Sequence, residues 1–322
     1  MKKPNILIIS PHDDGHTAVV QAQIKKIDPN IEVCIFATQD FPQKMEISTS
    51  VSNEDVQSII TTESETISCE NIKSVWFRRP RKPVPSPDVT DSKSIDYIEM
   101  ECDHAVYGFW QTLDCLWINP PSLNRVAHRK VFQLQEAQKI GLAVPDTLFT
   151  NSPEKAHEFY EKHNKKIIYK TLSSKPGLTF TTKMLTEKDL EFLKQVKLAP
   201  VTFQEFIPAN YDLRITIIDN KVFSAKIKSQ ESKCDLDWRN DLDIPMEVYN
   251  LPEEVERKLL ALTNKLGLVY SAIDLRVTPE NEYVFLEVNV GGQFLFVEIN
   301  TDLPISKTLA ELLIRGKKFS DI

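Results

Sequence analysis

Two carboxylates and an amide near the C-terminus carry the strongest chemical signal in the sequence. Alternation through residues 270–277 puts Asp274 on one face with Tyr270, Ala272 and Arg276. In the next apolar run Glu287 and Asn289 share a face with Phe285, opposite Val284, Leu286 and Val288. A turn centred between Glu280 and Asn281 sets Asp274 across from Glu287, with the side chains roughly 5 to 7 Å apart. Carboxylates that close repel. A hard divalent cation removes the repulsion, and an oxygen-only donor set favours Mg²⁺ shared with phosphates. The alternative is a pair of solvated polar residues on an exposed sheet face.

Cations upstream fit the same chemistry. Lys130 lies on a helical face with Val126, Leu134 and Ala137, and Lys170 sits inside the apolar run IIYKTL. A lysine in a buried strand needs an anionic or hydrogen-bonding partner; a surface lysine whose stem lies along apolar neighbours is the plainer reading, above all for Lys130. Arg214 (in Asp212-Leu213-Arg214) and Arg239 (in Asp237-Trp238-Arg239) are forks suited to an anion, or else members of structural ion pairs. The run Arg78-Arg79-Pro80-Arg81-Lys82 either meets an acidic surface or solvates a proline-rich turn. His12-Asp13-Asp14-Gly15-His16 has metal-binding residue types, but ligands so tightly spaced rarely converge, and a polar loop at a strand end is the simpler expectation.

The elements that must position these groups are legible in outline. Residues 5–10 (NILIIS) form a short continuous apolar run, as in a strand buried on both faces. A helix over 18–28 and a strand over 31–37 complete a βαβ opening, 42–71 read as polar and irregular, and 92–115 as an aromatic-rich helix. One helix is expected from Asn124 to Gly141, another after Ser152-Pro153, a strand over 165–172, a hairpin over 173–184, and a short charged helix from Thr186. Strands at 201–207, 213–218 and 221–228 follow. A polar loop (229–247), a helix from Pro252 to Gly267 and strands at 269–277 and 283–290 come after them. The implied division is an N-terminal α/β domain (1–122), a small α+β domain (123–200) and a mostly β domain (201–322).

Composition limits the function. With 322 residues and 41% hydrophobic content the chain can bury a sizeable core. Its formal charge of −7 argues against a protein that neutralises nucleic-acid phosphates. The 8 glycines assemble neither a Walker loop nor a dinucleotide fingerprint. Five cysteines without a CxxC pair fit a reducing, cytoplasmic setting, and no apolar run reaches the roughly 20 residues of a membrane span.

The order of motifs is more specific than any one of them. Lysine on a helix, lysine on a strand, Gln204-Glu205-Phe206-Ile207-Pro208, Tyr211-Asp212-Leu213-Arg214, Asp274 and Phe285-Leu286-Glu287-Val288-Asn289 together resemble the ATP-grasp carboxylate–amine ligases. Trp76-Phe77-Arg78-Arg79-Pro80, Asp237-Trp238-Arg239 and Gly292-Gln293-Phe294-Leu295-Phe296-Val297-Glu298 narrow the resemblance to the peptide macrocyclases that mature microviridin- and plesiocin-type peptides (graspetides). The resemblance implies three domains, with ATP and Mg²⁺ between the central and C-terminal ones. It implies a homodimer, and a ribosomal precursor peptide with leader and core as partner. ATP would phosphorylate a core carboxylate, and a core hydroxyl or amine would close an ω-ester or ω-amide.

Carried over by position, Lys130 and Lys170 match the phosphate- and adenine-side lysines. Glu205, Phe206 and Ile207 match the adenine hinge, with Asp212 beside it. Asp274, Glu287 and Asn289 match the magnesium set, Arg214 the arginine near the γ-phosphate, and Arg239 a holder of the core carboxylate. The resemblance also assigns the leader to the central domain at the 173–184 hairpin, which offers Leu178 and Phe180; the following helix, with Glu187, Asp189 and Glu191, either pairs with basic leader residues or is a solvated acidic helix serving only the fold. One departure stands out: 173–184 has a single glycine, where many ATP-grasp enzymes carry a glycine-rich phosphate cover. The rival expectations are a ligase of small carboxylates and amines, and a non-catalytic nucleotide-binding scaffold.

Overall fold

Four consecutive fully buried aliphatics, Ile6–Ile9, make strand β1, the inner strand of a parallel sheet. The computed structural model describes residues 6–63, 66–172, 181–231, 244–318 and 320. After β1 come α1 (Gly15–Ile27), β2 (Val33–Phe36), β3 (Met45–Val51), β4 (Val56–Thr62), β5 (Thr66–Ser68), β6 (Ser74–Phe77), α2 (Ser92–Gln111) and β7 (Leu116–Ile118). The parallel sheet runs β2-β1-β6-β7. The stretch expected to be irregular instead holds an antiparallel sheet, β3-β4-β5. Few of its residues turn inward (Met45, Ser58, Ile60, Ile67, Ser68), so its mean hydropathy hides β-branched alternation.

The helix expected from Asn124 to Gly141 is two helices, α3 (Pro121–Ala127) and α4 (Lys130–Ile140). Arg129 is extended, and the broken end is satisfied from within: the buried Gln133 amide donates to Ala127 O and Val288 O and accepts from Val288 N. Lys130 therefore opens α4 instead of lying mid-face, while Gly141 ends it in the left-handed region at φ 86° as expected.

The central unit comprises β8 (Thr147–Thr150), α5 (Pro153–Lys162), β9 (Ile167–Lys170), β10 (Lys183–Met184), 3₁₀ turns over Glu187–Leu198 and β11 (Val201–Glu205). Ser152 caps α5 and Pro153 opens it, as expected. The sheet order is β10-β9-β11-β8, so β11 belongs here and the sheet crosses the boundary expected at 200. Of the expected 173–184 hairpin, 173–180 lie outside the described residues.

The C-terminal unit follows with β12 (Tyr211–Ile218), β13 (Lys221–Ile227), β14 (Met246–Val248), α6 (Glu253–Lys265), β15 (Tyr270–Val277), β16 (Tyr283–Asn289), α7 (Leu295–Thr301) and α8 (Ile305–Arg315). Pro252 is the N-cap of α6, one residue short of the expected first position. Its antiparallel sheet runs β14-β13-β12-β15-β16. One core is shared between the ends of the chain: Ile6, Ile8 and Trp76 pack with Ala272, Phe294 and Leu309. The central sheet keeps a separate core around Tyr160, Ile167 and Phe203.

A polar clasp closes the seam between the N- and C-terminal units. Arg78, only 2% exposed, pairs through Nε with Asp14 at 3.0 Å and donates through Nη1 to Gly291 O at 2.5 Å and Gly292 O at 3.2 Å. Asp14 caps α1 and lies 3.2 Å from His16 Nδ1, while His16 Nε2 accepts from Phe294 N and Leu295 N at 3.1 and 3.3 Å. The histidine thus sits as the neutral Nδ1–H tautomer. The arginine run is therefore neither an acidic-surface patch nor a solvated turn at Arg78. The His12–His16 segment spends its side chains on Asp40, Arg81, Arg78 and the α7 entry, and among the described residues no three His, Cys, Asp or Glu converge on a metal position. On the same seam Asn119 donates to Tyr270 O and Val290 O and accepts from Val269 N and Tyr270 N.

Two predictions follow from the seam. Burial, helped by the charges of Arg78 and Arg79 and opposed by the Asp14 hydrogen bond, holds His16 below the usual histidine range. The unfolded chain protonates near pH ~6.5, so this contribution is complete above that pH and declines as pH falls through the folded-state value. His128, lowered by burial and by the charges of Lys130 and Arg129, adds a decline of the same sign. His16→Gln, which keeps an acceptor but does not titrate, should flatten the melting-temperature profile between about pH 7 and about pH 5; an unchanged slope would remove His16 from this role. Burial would raise Asp14, but the His16 bond and Arg78 bring it down to about 2, so its share is lost only in stronger acid. The second concerns Gly292, where a Cβ would lie 2.3 Å from Ala272 Cβ and 2.7 Å from Arg214 Nη2. Gly292→Ala should cost about 1–3 kcal/mol in denaturant unfolding, and an unaltered midpoint would show that the turn yields.

Candidate active site

Strand pairing assembles the site. Arg214 on β12 lies opposite Asp274 on β15, which lies opposite Glu287 on β16, and Ala272 opposes Asn289. The expected juxtaposition of Asp274, Glu287 and Asn289 on one face is present. Beyond it the register shifts: Asp274 pairs with Glu287 but Leu275 with Phe285, leaving Leu286 as an extra residue. The bulge moves Phe285 to the core face with Leu275, Ile273 and Val288, a correction to the uninterrupted alternation expected there.

The polar groups form one connected set. Asn289 Nδ2 bonds Asp274 Oδ2 at 3.1 Å and Glu287 Oε1 at 3.0 Å. Lys130 Nζ donates to Glu287 Oε2 from the first position of α4. Arg214 Nη1 meets Asp274 Oδ1 at 2.7 Å, and its Nη2 donates to Gln293 O at 2.9 Å. Burial alone would raise the Glu287 carboxyl. The Lys130 ammonium, the Lys170 charge and the Asn289 bond outweigh it and hold Glu287 well below the usual carboxylate range. Burial opposes charge on Arg214, but Asp274 overcomes it and keeps the guanidinium firmly protonated. Each carboxylate thus has a cation on it, Lys130 on Glu287 and Arg214 on Asp274.

The Lys170 charge felt by Glu287 comes from the inner strands of the central sheet. Lys170 on β9 donates to Gln204 Oε1 at 3.1 Å, and Gln204 Nε2 to Thr147 Oγ1 at 2.8 Å. Glu205 turns its side chain back to Asp146 N at 2.7 Å, while the backbone N–H groups of Glu205 and Phe206 bond Asp146 O and Lys166 O. Asp212 departs from the expected nucleotide contact. It is buried, and both its oxygens are taken by Arg276 at 2.9 and 3.1 Å. Arg276 also donates to Ile207 O, so Asp212 acts on the hinge through Arg276. Sequence reading missed Arg276, although its place two residues from Asp274 on the same face was a usable signal.

The remaining expected residues scatter. Glu187 is exposed and pairs with Lys165 at 3.1 Å; Asp189 closes a capping box on Thr186; Glu191 is exposed. Leu178, Phe180 and Arg239 lie outside the described residues. The clasp residues Asp14, His16 and Arg78 were also missed in their actual role: a charged loop beside a strand gives no sign of burial until its partner turn, 213 residues away, is known.

Comparison with known proteins places this geometry. The RimK-like ATP-grasp domain profile matches residues 127–313, and the MvdD pre-ATP grasp domain profile matches residues 5–125. The chain is similar to macrocyclase MdnC of Microcystis aeruginosa, solved with precursor peptide MdnA: TM-score 0.87, 32% identity, covering 97% of this chain and 99% of that one. It is equally similar to a Chryseobacterium gregarium RiPP-associated ATP-grasp ligase solved with ADP and a leader and core peptide: TM-score 0.88, 31% identity, 98% of each chain. Among curated proteins it is 26% identical over 211 residues to the tetrahydromethanopterin:alpha-L-glutamate ligase of Methanocaldococcus jannaschii, covering 62% of this chain and 71% of that one. The chain belongs to the RimK-like ATP-grasp ligases, in the group that holds the RiPP macrocyclases.

Proposed function

We propose that this protein is an ATP-dependent peptide macrocyclase. It activates Glu or Asp side-chain carboxylates of a ribosomal precursor and closes rings with Thr, Ser or Lys side chains, as ω-esters or ω-amides. The observation that carries the reading is the Lys130–Glu287–Asn289–Asp274–Arg214 set, in a chain 32% identical to a macrocyclase along nearly its whole length.

The chemistry needs activation because a carboxylate has only oxide to expel. Transfer of the γ-phosphoryl of ATP gives an acyl phosphate and ADP, and attack by the hydroxyl or amine then expels phosphate. The peptide loses one water, about 18 Da, per ring. Asp274, Glu287 and the Asn289 amide offer hard oxygen donors on one face, each carboxylate now balanced by a cation, so the set fits a magnesium ion. Magnesium bound there supplies charge neutralisation to phosphate oxygens. Lys130 and Lys170 serve the phosphates, and the Glu205–Ile207 backbone the base. Arg214, held by Asp274 and Gln293 O, presents a fixed positive charge where the acyl phosphate carries negative charge.

The leader is proposed to dock on the central unit at the 173–184 segment, with Leu178 and Phe180, and along Glu187 and Glu191, beside the exposed Phe192. Asp189 drops out of the contact set because its carboxylate caps the helix. A homodimer is the proposed assembly. Free thiols at Cys34, Cys69, Cys102 and Cys115 support a cytoplasmic setting. The match to a methanopterin–glutamate ligase favours one other reading, a ligase of small carboxylates and amines. ADP release that depends on precursor separates the two.

Glu287→Gln should lower ring formation by about a hundredfold or more while leaving circular dichroism unchanged. The assay is ATP, magnesium and precursor, read by mass spectrometry, and wild-type turnover in that variant would sink the metal assignment. Leader binding is a separate test. Such exposed ion pairs are each worth about 0–1 kcal/mol, so a Glu187/Glu191→Ala double variant should bind the isolated leader several-fold more weakly at low salt. The gap should close as salt rises, and equal affinity at low salt would move the leader elsewhere.

A further inference from the structure

Arg79 is the unusual residue of the arginine run. It precedes a proline, where the chain is normally extended, yet its φ is +47°. A non-glycine residue held there costs about 1–3 kcal/mol. In an extended chain Arg78 and Arg79 would point to opposite sides. Instead both reach one carbonyl: Arg78 Nη1 bonds Gly291 O at 2.5 Å and Arg79 Nε bonds it at 2.8 Å. Using Nε for the turn leaves the two terminal amino groups of Arg79 as an outward fork.

The other cations of the run are occupied. Arg81 grips both oxygens of Asp13, and Lys82 reaches Glu99. Among the described residues no carboxylate pairs with Arg79, and its side chain is exposed. The turn it holds begins two residues after Asn289, and at its far end Gln293 O holds Arg214. Two guanidiniums therefore flank Gly291–Gln293, one buried against Asp274 and one open to solvent. Lys130 and Lys170 belong to α4 and the central sheet, whereas Arg79 comes from the N-terminal unit.

We infer that Arg79 binds the side-chain carboxylate of the core residue being activated, as a specificity-determining contact that delivers it beside Arg214. The inference rests on the macrocyclase reading. The two-pronged Nη edge matches a carboxylate better than a lysine would, and the left-handed backbone at Arg79 brings that guanidinium to the Gly291 turn, two residues beyond Asn289.

The test uses the full-length enzyme with ATP, magnesium and full-length precursor. An enzyme that releases ADP but forms no ring overturns the macrocyclase reading and this inference with it. Where wild type forms rings, Arg79→Gln should lower kcat/KM for precursor about ten- to a hundredfold, the weight of a charge-assisted pair. Arg79→Lys should fall between the two. KM for ATP, affinity for the isolated leader and melting temperature should match wild type. Unchanged kcat/KM for precursor overturns the proposal. So does a loss that appears equally in KM for ATP or in melting temperature, since that would assign Arg79 to the Gly291 turn alone.

Discussion

Two carboxylates held side by side by strand register are the constraint from which much of this structure follows. At roughly 6 Å and an effective dielectric near 20, Asp274 and Glu287 repel by about 3 kcal/mol, more than a helix cap of about 1 kcal/mol can offset. The fold answers with groups from three different elements. Lys130 comes from the start of α4, Arg214 from β12, and Asn289 bridges both acids with one amide nitrogen. The break at His128–Arg129 makes Lys130 the first residue of α4, and the Gln133 amide ties that helix to the β16 backbone. Gly292 carries no side chain because Arg214 and Ala272 fill the space where one would go.

The compensation propagates to the N-terminal unit. Arg214 leans on the Gly291–Phe294 turn, and the turn is held from behind by Arg78, His16 and the Tyr270 hydroxyl. Buried ion pairs such as Asp14–Arg78 add little net stability, because desolvating two charges offsets most of their attraction. Their effect is on geometry: with Asp14 spent on Arg78 and His16 on two backbone amides, the turn has few alternative positions. A domain distant in sequence thereby fixes the orientation of an arginine at the centre of the proposed chemistry.

What was legible in the sequence was what local pattern encodes. Alternation set Asp274, Glu287 and Asn289 together, and the cap at Ser152-Pro153 and the glycine at 141 placed helix ends. The bulge at Leu286 was not legible, since one extra residue leaves composition untouched and only its partner strand reveals the phase change that sends Phe285 to the core. Nor was the split between α3 and α4, which depends on Gln133 finding Val288. The burial of Arg78 and the diversion of Asp212 to Arg276 were hidden for the same reason: each is decided by a partner far along the chain. The β3–β5 sheet was missed because its strands turn few large apolar side chains inward.

The distribution of cores bears on how such a site can open and close. The N- and C-terminal units share one continuous apolar core running from Ile6 to Leu313, reinforced by the clasp and by Asn119. Displacing one against the other would expose that core and strand buried charges together. The central sheet has its own core, and its link through Phe206 to Asn210 is tied to β15 by polar bonds, Arg276 to Ile207 O and Asn210 N to Val277 O. An acyl phosphate survives only where water is kept away, so the site has to be covered during the reaction and uncovered to exchange substrates. The energetically cheap movement is that of the central unit, which carries Lys170 and the hinge, over a fixed frame that carries Lys130, Arg214 and the carboxylates.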